Sequence, residues 1–263
     1  MNHFRFALAL TAVACLSTAS SAQQRPEISG LWTRGGAANT LFRAPPSGTG
    51  PVMTIKLPGQ NNVPRQAGDY NSPILQPWAK EVVRRQTERV LAQETALHTP
   101  QETCWPMGVP HILQLNFHAQ IIDDGKQVTF LYERHNQRRI ARLNGTHPAT
   151  VKPSWFGDSV AHYEGDTLVV DTVGLDTRTW VDIFATPHTD KLHVVERYRR
   201  RDAKTLDVTI EVDDPGTFTT KWSAVVTYEK DDEPWLETIC SENNIDAATG
   251  KLYDMPMAAK PDF

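Results

Sequence analysis

The densest group of side chains able to move a proton or hold an anion lies between residues 182 and 197. Asp182, His188, Asp190, His193, Glu196 and Arg197 fall there, on a loop that leads into a strand. A histidine titrates near neutral pH, and beside a carboxylate it can act as general acid or base. In this reading His193 transfers the proton, His188 is its neighbour upstream, and Glu196 or Asp182 tunes it. Arg138, in the strand that starts after His135, offers a guanidinium to a carboxylate or an enolate-like oxyanion. Trp155 and Trp180 fall in loops and, with Arg197, can hold a small apolar or aromatic molecule. The implied chemistry is that of a cofactor-independent lyase or isomerase. The alternative, from a different class, is a lipocalin-like carrier that binds the same kind of ligand without turnover.

Two other chemistries fit the residues less well. Gly157-Asp158-Ser159, with Asp190 to His193 downstream, mimics the pattern of Gly-Asp-Ser esterases. Those need several strand–helix units between serine and histidine, whereas the stretch from Ser159 to His193 reads as a hairpin and a loop. His188 and His193, with Asp182 and Asp190 nearby, have the ligand types of a zinc or iron site. A loop-to-strand step does not align the two imidazoles on one face, so no metal is expected. No glycine-rich phosphate loop or dinucleotide fingerprint occurs, so no cofactor is expected either.

The elements that must position these residues follow from length, export signals and periodicity. The 263 residues suit one large domain or two small ones. With 27 basic against 31 acidic side chains and a formal net charge of −4, the chain is not built for nucleic acid or an anionic membrane. Residues 1–22 read as a secretory signal: Arg5, an apolar run from Phe6 to Leu16, and the small residues Ser20-Ser21-Ala22. That run is too short to span a bilayer and no later stretch is long enough. A lipoprotein attached through Cys15 is the competing reading of the same segment, and the expected location is periplasmic or secreted. Cleavage after Ala22 leaves Cys104 and Cys240, an even count that in an oxidising compartment points to one disulfide.

Residues 23–75 are rich in Gly, Pro, Asn and Ser and read as an extended N-terminal arm, with a first strand at Ile28–Trp32. The remainder, 76–263, reads as one helix plus a β domain. Pro77 suits a first helical turn, and Val82, Val83, Val90, Leu91 and Leu97 recur near helical spacing over 77–97. From about residue 118 the period becomes two. Strands are predicted at 127–132, 138–143, 159–163, 167–173, 192–200, 205–212, 220–229 and 235–240, joined by turn signals such as Glu164-Gly165-Asp166. With no helical pattern between them, all should pair antiparallel. In 192–200 both faces carry polar groups, which a barrel enclosing a ligand tolerates better than a packed sandwich. The predicted architecture is mainly β, an antiparallel meander closing into a lipocalin-like barrel with a long N-terminal arm and one helix.

Gly30-Leu31-Trp32 resembles the G-x-W opening of lipocalin-like barrels, where the tryptophan plugs one end. Trp155-Phe156-Gly157-Asp158-Ser159, Glu164 to Thr172, and Pro187 to Arg197 resemble segments of a family of secreted bacterial proteins. That resemblance implies export and brings no mechanism with it.

Overall fold

The structure is a computed structural model that describes residues 26–34, 41–92, 104–235, 238 and 240. The expected export signal, Cys15 and the continuation of the helix to residue 97 lie outside the described residues. So does part of the strand expected at 235–240.

Nine strands close into one barrel in sequence order. They are β1 (Gly30–Thr33), β2 (Ala119–Asp123), β3 (Gln127–Tyr132), β4 (Gln137–Leu143), β5 (Asp158–Glu164), β6 (Thr167–Val173), β7 (His193–Arg200), β8 (Thr205–Asp213) and β9 (Trp222–Lys230). Closure comes from antiparallel pairing of β1 with β9, Trp32 opposite Lys230 and Thr33 opposite Glu229. A closed sheet has no edge left to pair with another chain.

Alternation drives this closure. On β8, Leu206, Val208, Ile210 and Val212 all point inward and are fully buried, each worth about 1.5–3 kcal/mol when removed from water. Val128, Phe130 and Tyr132 of β3 and Ala224, Val226 and Tyr228 of β9 repeat the pattern. Trp32 is wholly buried, its indole N–H donating to the Ile28 carbonyl at 3.0 Å, and the Arg200 guanidinium covers its ring at 5.8 Å.

One pairing differs from expectation. β4 and β5 run parallel, with Ala141 opposite Ser159 and Leu143 opposite Ala161. A parallel crossover needs about a dozen residues and usually a helix. Here residues 144–157 make it without one and are fixed at their ends instead: the Asn144 N–H donates to Ala161 O at 2.7 Å, and the Ser154 N–H to Gly174 O at 3.1 Å. The crossover enters β5 through Gly157 at φ +63°, where a Cβ would sit 2.4 Å from the Val173 carbonyl oxygen.

The one α-helix among the described residues, α1 (Pro77–Leu91), begins on the proline as predicted and buries Ala79, Val83, Gln86 and Thr87. Its outer face carries the Arg85–Glu81 pair at 2.8 Å. The arm lies against the wall: Arg43 exchanges two backbone hydrogen bonds with Val225, and Leu75 bridges to Phe218. Cys104 and Cys240 form the expected disulfide, Cα atoms 5.6 Å apart. No helix among the described residues is long and apolar enough to cross a membrane.

Candidate functional site

The predicted site residues face three different environments. Those of β7 divide by parity. Val194, Glu196 and Tyr198 point into the barrel, and His193, Val195, Arg197 and Arg199 point away from it. The structure places the His193 ring on the outer wall of the barrel.

Inside the barrel the charged pair and the groups around it satisfy one another, while the buried Tyr132 hydroxyl has no hydrogen-bond partner. Arg139 and Glu196 form a two-pronged ion pair with side chains 1% and 0% exposed. Arg139 also donates to Ser159 Oγ at 3.0 Å and Thr172 Oγ1 at 2.5 Å, and the Tyr198 hydroxyl donates to Glu196 Oε1 at 2.8 Å. Phe130 lies under the guanidinium at 5.4 Å. The neighbouring void, lined by Trp32, Phe130, Tyr132, Tyr198 and Tyr228 among others, has about 10 Å³, room for one water. The polar residues on the inner face of β7 are therefore accounted for by internal pairing. Arg138, the expected oxyanion holder, has the opposite parity: it is exposed on the outside of β4, and Arg139 is the arginine that enters the barrel.

His188, Asp182 and Trp180 lie in the loop 174–192, packed on the segment 104–115. His188 is 4% exposed and both its nitrogens are engaged, Nε2 with Thr179 Oγ1 at 2.8 Å and Nδ1 with Thr189 O at 2.9 Å. Burial lowers its pKa. Asp182 Oδ1 accepts from the Phe184 and Thr186 N–H groups at 2.9 and 3.2 Å, and burial pushes this carboxyl up to about 6. Trp180 stacks on His111 at 6.5 Å, and burial holds that imidazole down at about 3. Trp155 packs against Trp105 at 5.5 Å and is covered by the Arg178 guanidinium at 4.3 Å. Neither Asp182 nor Glu196 meets His193.

The partner of His193 is Asp171 on β6. His193 Nε2 lies 2.9 Å from Asp171 Oδ1, and His147 Nε2, on the crossover, lies 3.0 Å from the same oxygen. His147 Nδ1 faces Asp158 Oδ2 at 3.6 Å, and Asp158 is held by both oxygens to Arg142 Nη2 at 2.8 and 2.7 Å. The hydrogen bond to Asp171 raises the His193 pKa above its ordinary 6.5, against burial. Burial alone would raise Asp171, but the bonds from His193 and His147 outweigh it and lower its pKa.

Nitrogen occupancy separates the fully engaged His118 and His188 from His193 and from the more exposed His162, whose Nε2 meets Glu164 Oε1 at 3.1 Å. His118 is held by carboxylates on both sides, Glu133 Oε2 at 2.5 Å and Asp231 Oδ2 at 3.0 Å, and closes the barrel seam. His188 is likewise fully engaged. His193 has 37% of its side chain exposed, and its Nδ1 has no hydrogen-bond partner among the described residues. Sequence reasoning missed Asp171 and His147. Asp171 stands on the outer parity of a recognised strand, but the long loop between β6 and β7 hides the register that sets it beside His193. His147 carries no sequence signal.

No protein-family model matches the chain, no curated protein is similar to it, and no solved structure matches it.

Proposed function

We propose that this chain is an exported, cofactor-independent acid–base enzyme, a lyase or isomerase acting on a small apolar or aromatic molecule at the outer wall of the barrel. The observation that carries the reading is the shared carboxylate, with His193 and His147 both at Asp171 Oδ1. An ionised carboxylate only accepts hydrogen bonds, so each Nε2 carries a proton and the lone pair of neutral His193 sits on Nδ1. That nitrogen is the base. Asp171 stabilises the imidazolium formed when it takes a proton, and the raised pKa keeps a protonated fraction near neutral pH. The one-water void inside the barrel favours this outer site over a carrier with an internal ligand. The Cys104–Cys240 disulfide supports export, since such bonds persist in oxidising compartments.

Proton transfer at carbon leaves a trace in heavy water. A panel of small aromatic and aliphatic carbonyl compounds, incubated with the protein in D2O and followed by proton NMR, should include members that exchange a C–H. His193→Gln should slow that exchange about 10²–10⁴-fold with the fold intact. In the same samples, the His193 ring should titrate above 6.5 and move down toward that value in Asp171→Asn. Exchange at the wild-type rate in a folded His193→Gln protein overturns the assignment.

A further inference from the structure

A second feature of the outer wall is independent of the histidine pair. Across β7, β8, β9 and the arm, one row of paired residues runs Arg197, Thr209, Val225, Arg43. The next row runs Arg199, Asp207, Thr227. At about 4.8 Å per strand, the Arg197 and Arg43 backbones stand roughly 14 Å apart with the Thr209 and Val225 side chains between them. This is the floor of a groove of about 610 Å³, walled on the arm side by Ala44 and Pro46.

The groove keeps an excess of positive charge although the whole chain is acidic. Arg201 is neutralised by Asp207 through two hydrogen bonds. Arg199 gives only its Nε to Asp166, in a pair more than half exposed on both sides, and such pairs hold weakly in water. Arg197 meets Glu164 only at 4.0 Å. The Arg43 guanidinium donates to the neutral Thr227 hydroxyl at 2.6 Å. Three guanidinium groups therefore keep donors directed at one cleft, beside the Thr209 hydroxyl and an apolar strip.

We propose that this groove binds a small organic phosphate monoester with a compact apolar or aromatic body. Three arginines offer more forked donors than a single carboxylate accepts, and a phosphate dianion presents three strong acceptor oxygens. The volume falls within the 300–1,000 Å³ typical of small-ligand sites, far more than a bare phosphate fills, and Val225, Ala44 and Pro46 receive the body.

Isothermal titration of the mature chain with phenyl phosphate, inorganic phosphate and phenol tests this. Phenyl phosphate should bind at one site per chain, more tightly than inorganic phosphate, while phenol should show no saturable binding. Arg197→Gln and Arg43→Gln should each weaken phenyl phosphate about tenfold or more, as expected for loss of a charge-assisted contact. Both side chains can be replaced without opening the core, and circular dichroism checks that the fold is retained. Arg85→Gln on the exposed face of α1 makes the same charge change and should leave affinity within about twofold. No saturable phenyl phosphate binding overturns the proposal, as does equal weakening by Arg85→Gln. Equal affinity for inorganic phosphate overturns the apolar part of the ligand.

Discussion

Removing Glu196 while leaving Arg139 in place should be among the most damaging single changes in the barrel. Glu196→Leu strands a guanidinium whose side chain is 1% exposed and whose remaining acceptors are two hydroxyls, Ser159 and Thr172. Breaking one side of a buried pair costs about 3–5 kcal/mol, because the surviving charge has lost both water and its counter-ion. Arg139→Met should cost a similar amount by stranding the carboxylate. The double replacement removes both charges. Ser159 and Thr172 can still bond each other at 3.0 Å, which leaves the Tyr198 hydroxyl as the main group without its acceptor, a penalty of about 1–3 kcal/mol. The double variant should therefore be more stable than either single one, with a coupling of at least about 2 kcal/mol. Urea unfolding at neutral pH, with the disulfide intact, measures all four proteins. Additive losses, or single losses below about 1 kcal/mol, would refute the view that the pair is desolvated and mutually dependent.

Asp182→Asn tests a second buried carboxyl. Its pKa, raised by burial from 3.8 to about 6, means the folded chain holds that proton more tightly than the unfolded one. Between those values wild-type stability falls as pH rises, reaching a penalty of roughly 3 kcal/mol at neutral pH. The variant should therefore gain relative to wild type between pH 4 and pH 8 in paired urea melts, and a constant difference would contradict the shift. Peptide mapping under non-reducing conditions should recover Cys104 linked to Cys240, and reduction should lower stability by up to about 5 kcal/mol. Gly157→Ala should destabilise by more than about 1 kcal/mol, since its positive φ is strained for alanine and the Val173 carbonyl leaves no room for a Cβ. Wild-type stability in thermal melts would show that the crossover into β5 can relax.

The strands that were legible are those where alternation and a turn signal coincide. Glu164-Gly165-Asp166 marks a tight hairpin, and Glu164 indeed pairs with Thr167. β2 carries little strand signal, because Ala-Gln-Ile-Ile-Asp is short and its alternation breaks at the exposed Ile122. The parallel β4–β5 pair was illegible for a different reason. A crossover held by a few backbone and side-chain hydrogen bonds has no periodicity, so 144–157 reads as a loop of any geometry. In β4 the local pattern points the wrong way: Ile140 faces outward, partly exposed, while Arg139 is buried. An arginine goes inward only because Glu196 awaits it from the other side of the barrel, a fact no window of sequence contains.

The error at β7 had a local remedy. Residues three apart on a strand point to opposite faces, so His193 and Glu196 could not have been partners in any register. The same parity puts His193, Arg197 and Arg199 together on the outer wall. Once the strand is recognised, each residue type suits the face it occupies. Glu196 is tolerable inside only with a fixed counter-charge and hydrogen bonds, which Arg139 and Tyr198 supply at a set distance. His193 and the arginines stay outside, where a proton can leave and an anion can arrive. The proposed chemistry of this barrel therefore falls on its outer surface, while the Arg139–Glu196 pair inside serves its stability. A closed wall filled with aromatic side chains leaves little room inside, whereas the outer face of β7–β9, with the arm laid against it, holds a groove of about 610 Å³.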